Sequence, residues 1–80
     1  MNSYSTKYLL FIKAKEQNPK TSIYLVRTND ARSILLGVIK WFPQWRQYGF
    51  YPEDGTVFEK TCLKDLYEFC IKLNILQRKK

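Results

Sequence analysis

The stretch Lys40-Trp41-Phe42-Pro43-Gln44-Trp45-Arg46-Gln47-Tyr48-Gly49-Phe50-Tyr51-Pro52 constrains the fold more than any other part of this chain. It holds both tryptophans and two of the three prolines. Six of its thirteen residues are aromatic, and none is acidic. Pro43 fixes its own φ and pushes Phe42 out of the helical region, which disfavours a helix through this point. Aromatic side chains favour a pleated, half-buried surface. The reading is two short strands, Ile34 to Trp41 and Trp45 to Tyr51, joined by a tight connection at Phe42-Pro43-Gln44.

Eighty residues allow a single domain spanning 1–80. A chain this short supports one sheet covered by one helix, or uses a partner chain, including a second copy, to complete its core. Two earlier strands are expected: Lys7 to Lys15, which begins apolar and then alternates, and Thr21 to Thr28, rich in β-branched and aromatic residues. The segment around Pro19 forms the turn between them. Gly37 inside the third strand predicts a bulge or a close backbone approach. Pro52-Glu53-Asp54-Gly55 is a turn, with Gly55 available for positive φ.

From Cys62 the apolar period becomes helical. Leu63, Leu66, Cys70 and Leu73 recur at three- and four-residue spacing, Thr61 offers an N-terminal cap, and the helix should end near Asn74. Residues 1–6 and 77–80 are expected to be flexible ends. The fold class is therefore α+β: an antiparallel sheet of about four strands with a C-terminal helix across one face.

The pattern Gly37-x-Ile39-x-Trp41, Trp45-Arg46-x-Tyr48-x-Phe50-x-Pro52, then Phe58, Cys62-Leu63 and a closing helix resembles a group of short proteins encoded by bacteriophages and mobile elements. The resemblance covers residues 37–73, and its Trp-Arg-Tyr-Phe-Pro spacing is fairly specific. It implies a phage-type setting and a β-rich fold with a C-terminal helix. It carries over no catalytic or binding residue.

The formal charge is +7, unevenly spread. Residues 1–50 hold eight basic and two acidic side chains, for +6, while residues 51–80 hold six and five, for +1. The positive field belongs to the strands and attracts anions such as nucleotides or nucleic acid. There is no histidine, so the commonest general base is missing, and no phosphate-loop or dinucleotide motif is present. The serines have no triad partner. Cys62 and Cys70 lie about 12 Å apart along a helix, too far to bridge. Without histidine they make no standard zinc site. They read as free thiols in a reducing compartment. The expectation is a non-enzymatic protein without cofactor or metal. No signal peptide or membrane span is apparent, which places it in the cytoplasm, that of the host cell if phage-encoded.

The candidate ligand-binding residues are Lys40, Trp41, Trp45, Arg46 and Tyr48. Aromatic faces stack on nucleobases, and an Arg fork grips a phosphate with two parallel hydrogen bonds. Each has a structural alternative. Ile39 and Trp41 share one side of the third strand, Tyr48 and Phe50 share one side of the fourth, and one of these sets faces the core. Arg46 can instead stack on Trp45 or Tyr48. A secondary basic surface is expected from Lys13, Lys15, Arg27 and Arg32, with edge-strand protection as its plainer explanation. The expected partner is a nucleotide-like anion, either a host nucleotide signal or nucleic acid, in a counter-defence role. The alternative is a small inhibitor or adaptor that docks its aromatic hairpin on a host protein.

Overall fold

The computed structural model describes residues 3–14 and 20–78. Among these residues it is an α+β fold of five strands and one helix. The elements are β1 (Ser3–Ser5), β2 (Leu9–Lys13), β3 (Tyr24–Thr28), β4 (Leu35–Phe42), β5 (Gln47–Pro52) and α1 (Lys60–Arg78). The strands form one antiparallel sheet in chain order, β1 to β5. Each pair of neighbours is sequential, so no crossover is needed.

The strand beyond the four expected is β1, in the segment read as a frayed start. It is short and mostly polar, which hid it. Its one large side chain, Tyr4, packs on Phe11 and Phe69, with ring centroids 6.0 and 5.6 Å away. The helix also runs further than expected, through Gln77 to Arg78. Lys15 and the turn around Pro19 lie outside the described residues.

One face of the sheet carries the core. Leu9 and Phe11 of β2, Tyr24 and Val26 of β3, Ile39 of β4 and Tyr48 of β5 are buried against Leu66, Phe69 and Leu73 of α1. Phe69 is the centre of the helix contact: its ring stacks on Phe11 at 4.2 Å and meets Tyr24 edge-on at 5.0 Å. Cys62 and Cys70 are partly buried free thiols beside this core. Leu63, expected in the buried stripe, is 53% exposed. Glu59 rather than Thr61 caps the helix: its carboxylate accepts the Cys62 amide at 2.7 Å. The Thr61 and Cys62 amides hold that carboxyl below its ordinary range.

Gly37 fulfils both sequence expectations. Val26 pairs with Gly37 but Arg27 pairs with Leu35, so Leu36 is the extra residue of a bulge. A Cβ on Gly37 would stand 2.5 Å from the Tyr51 carbonyl oxygen. Gly55 has φ 78°, as its turn requires.

Candidate functional site

The β4–β5 connection is longer than the predicted tight turn. Phe42 pairs with Gln47, which leaves Pro43 to Arg46 as a four-residue loop. The Trp45 amide donates to the Phe42 carbonyl and the Arg46 amide to the Pro43 carbonyl, both at 3.2 Å. Pro43 supplies the fixed φ that opens such a turn. Arg46 closes it with φ 52°, a left-handed conformation uncommon for a residue with a side chain. Trp45 and Arg46 were expected in a strand. They belong to the loop, because the chain must reverse before the ladder can resume.

Alternation along β4 and β5 then divides the five candidate residues. Trp41 and Tyr48 pair with each other and face α1, ring edge to ring face at 5.5 Å. Tyr48 is buried, its hydroxyl accepts the Ser22 amide at 2.9 Å, and its own amide donates to Asn74 Oδ1 at 2.8 Å. Those bonds tie β5 to the helix and to the end of β3, and they define Tyr48 as a structural residue. Lys40 points the opposite way, onto the sheet face that no helix covers. Its ammonium stands 4.5 Å from the centre of the Tyr51 ring. The five residues therefore do not make one surface.

The uncovered face gathers a different set. Tyr51 and Phe42 flank Lys40, with ring centroids 6.3 Å apart. Trp45 folds back from the loop to meet Phe42 at 4.8 Å while keeping 72% of its surface exposed. Leu10, Ile12, Leu25 and Val38 continue the face across β2, β3 and β4, each half-buried. Arg27 lies on it as well, its guanidinium donating to the Ser33 carbonyl at 2.7 Å. Among the described residues no strand of the sheet contains an aspartate or glutamate. Phe42 and Tyr51 were absent from the sequence-based site. The parity of positions 38, 40 and 42 against 47, 49 and 51 was the signal that would have found them.

The expected secondary basic surface is split in the same manner. Lys13 lies on the helix side, lining a cavity of about 290 Å³ with Tyr24, Tyr48 and Lys72. Arg27 is on the opposite face. Arg32 sits in the β3–β4 loop, 3.3 Å from the Asp30 carboxylate in an exposed ion pair. Asp30 organises that loop: it accepts the Thr28 hydroxyl at 2.9 Å and the Arg32 and Ser33 amides at 3.0 and 3.1 Å. The Thr28 bond, with those amides, holds its carboxyl below the usual range. Arg32 is thus occupied with loop structure.

Comparison with known proteins gives one informative match. Over 73 residues the chain is 34% identical to the uncharacterized 9.3 kDa protein of Acholeplasma phage L2, an alignment covering 91% of this chain and 92% of that protein. The chain belongs to that phage protein's family. The likeness spans nearly both full lengths, so it takes in sheet and helix together and extends the phage-type resemblance beyond residues 37–73. No family model and no solved structure matches the chain. Among the described residues no helix is long and apolar enough to cross a membrane.

Proposed function

We propose that this phage-family protein is a non-catalytic binder of single-stranded nucleic acid, acting in the cytoplasm of the infected cell. One observation carries the reading. The uncovered sheet face brings Phe42, Tyr51 and Lys40 of β4 and β5 together with Trp45 of the connecting loop, and this hairpin contains no carboxylate. Bases stack on exposed aromatic rings at about 1–3 kcal/mol each, largely independent of sequence. Lys40 and Arg27 supply positive charge on that face for the phosphates, and the exposed Arg46 of the adjoining loop adds to the local charge. A ring face already holding an ammonium keeps that cation within reach of a backbone threaded over it. The broad surface of the sheet favours an extended strand over a single enclosed nucleotide, which narrows the nucleotide-like anion expected from sequence.

The test is a titration of labelled single-stranded oligonucleotides with fluorescence anisotropy, at low and physiological salt. With two or three phosphates neutralised, the log–log salt slope should be about −1.4 to −2.1. Trp45→Ala and Tyr51→Ala should each weaken binding by about 1–3 kcal/mol while the fold survives. Trp41, packed toward the helix, serves as an internal fluorophore in Trp45→Ala. Absence of binding at low salt, or equal binding by all variants, rejects the reading. The exposed Trp45 would then be better explained as the tip of a hairpin docked on a host protein.

A further inference from the structure

The helix carries a second apolar stripe that the fold does not use. Leu63, Tyr67 and Ile71 follow one another at four-residue spacing, and 53%, 66% and 37% of their surfaces remain exposed. They run for about 12 Å along the flank of α1 that borders β5. With Phe50, Gly49 and Trp45 they wall an open groove of about 320 Å³. No residue lining that groove is charged. A single helix covering a sheet needs one apolar stripe, and here Leu66, Phe69 and Leu73 already provide it.

We propose that this flank is a homodimer interface, in which α1 of a second copy packs antiparallel along Leu63, Tyr67 and Ile71 about a two-fold axis near Tyr67. Three features select a second copy. The first is charge. The strands and their loops carry nearly all of the net +7, whereas residues 51–80 carry six basic and five acidic side chains. Meeting through α1 puts the nearly neutral halves together and keeps the basic sheets apart. The second is self-complementarity. Lys64 and Glu68 border the stripe on its solvent side and are both exposed. An antiparallel pair whose two-fold passes beside Tyr67, at position 66, sets Lys64 of each copy against Glu68 of the other, as a two-fold interface demands. A parallel pair would oppose like charges. The third is size: with aromatic side chains offering about 150–250 Å² each, the two stripes and their Trp45 neighbours reach the roughly 1,000 Å² that a specific interface needs.

The contact is made by side chains more than by strand pairing. β5 is the edge of the sheet, but its Tyr48 amide is already held by Asn74, and Pro52 has no amide hydrogen to offer. Packing on the helix flank therefore joins the copies without extending the ladder. It also leaves Lys40, Phe42 and Tyr51 of each copy clear of the interface. Trp45 is the one residue that the two surfaces share, and Tyr67→Glu and the Lys64/Glu68 exchanges alter none of the residues assigned to nucleic acid.

The experiment is sedimentation equilibrium of the full chain over a concentration series, with circular dichroism to confirm folding. Wild type should pass from monomer to dimer as concentration rises, and Tyr67→Glu should remain monomeric with wild-type secondary structure. Lys64→Glu and Glu68→Lys should each weaken the dimer, because each puts like charges face to face. The double exchange Lys64→Glu/Glu68→Lys should restore it, and the circular dichroism of each variant separates this from any change in the i,i+4 pairing of the same two residues within one helix. A wild type that stays monomeric throughout overturns the proposal and leaves the groove to a partner of another kind. A dimer that survives Tyr67→Glu, or a double exchange that fails to recover, overturns the interface.

Discussion

Gly37 faces Pro52 across β4 and β5, and a methyl group on its Cα would stand 2.5 Å from the Tyr51 carbonyl oxygen and 2.8 Å from the Phe50 ring. The two neighbours differ in how far they can give. Phe50 is a half-buried side chain able to tilt toward Phe58, whose ring lies 5.1 Å away. The Tyr51 carbonyl is main chain within the β4–β5 ladder, so moving it disturbs the pairing with Val38. Overpacking of this kind costs about 1–3 kcal/mol, and a main-chain obstacle puts Gly37→Ala at the upper end. Against that, alanine restricts the unfolded chain and returns about 0.4–1 kcal/mol. The collision wins, for a net loss of about 2 kcal/mol. An 80-residue domain has about 4–12 kcal/mol in total, so the change is a substantial fraction of its stability. Urea unfolding followed by circular dichroism should show a lower midpoint at unchanged slope, and the melting temperature should fall by about 8–16 °C. Gly49→Ala is the control: its nearest neighbour would be Phe42 Cβ at 3.9 Å, an ordinary contact, so it should cost far less. A Gly37→Ala midpoint equal to or above wild type would refute the close approach and, with it, the β4–β5 packing described above.

Leu66→Asp should unfold the domain, because it places an unpaired carboxylate among buried side chains at a cost on the order of 4 kcal/mol or more, whereas Leu63→Asp, on the exposed flank, should keep a native circular-dichroism spectrum. Tyr48→Phe removes the acceptor of the Ser22 amide and should lower stability by about 1–2 kcal/mol in thermal melts without changing oligonucleotide binding. Burial pushes the Cys70 thiol up from 9.0 to about 11, and partial burial beside the Glu59 carboxylate raises Cys62 as well. Both should react slowly with a thiol reagent at pH 8 until the protein is denatured. Because these thiols hold their protons more tightly in the fold, unfolding releases protons above about pH 9. The thiols' contribution to stability should therefore be level between neutral pH and about 9 and fall as pH rises between about 9 and 11, as a pH series of urea midpoints would reveal.

Local chemistry made much of this protein legible in its sequence. Pro43 disfavours a helix and sets a turn wherever the rest of the chain goes. The switch from alternating to three- and four-residue apolar spacing marks where the sheet ends and α1 begins, since each element must turn its apolar side inward. Gly37 and Gly55 are bound to backbone geometry that other residues resist. These are properties of neighbouring residues, and they led to a C-terminal helix over an antiparallel sheet. What lay out of reach depends on contacts between distant segments. Ser3–Ser5 has no strand signal of its own and is ordered by Tyr4 meeting Phe11 and Phe69. Trp45 and Arg46 look like strand residues, yet the β4–β5 register turns them into a loop. The candidate site shows the same division. Its residue types were visible, but Trp41 and Lys40 are neighbours in sequence and stand on opposite faces. Only the placement of α1 decides which face is buried and which is open. The helix periodicity likewise announced an apolar side without revealing that Leu63 lies outside it, because one helix can be amphipathic toward two directions and only packing against the sheet shows which is already satisfied.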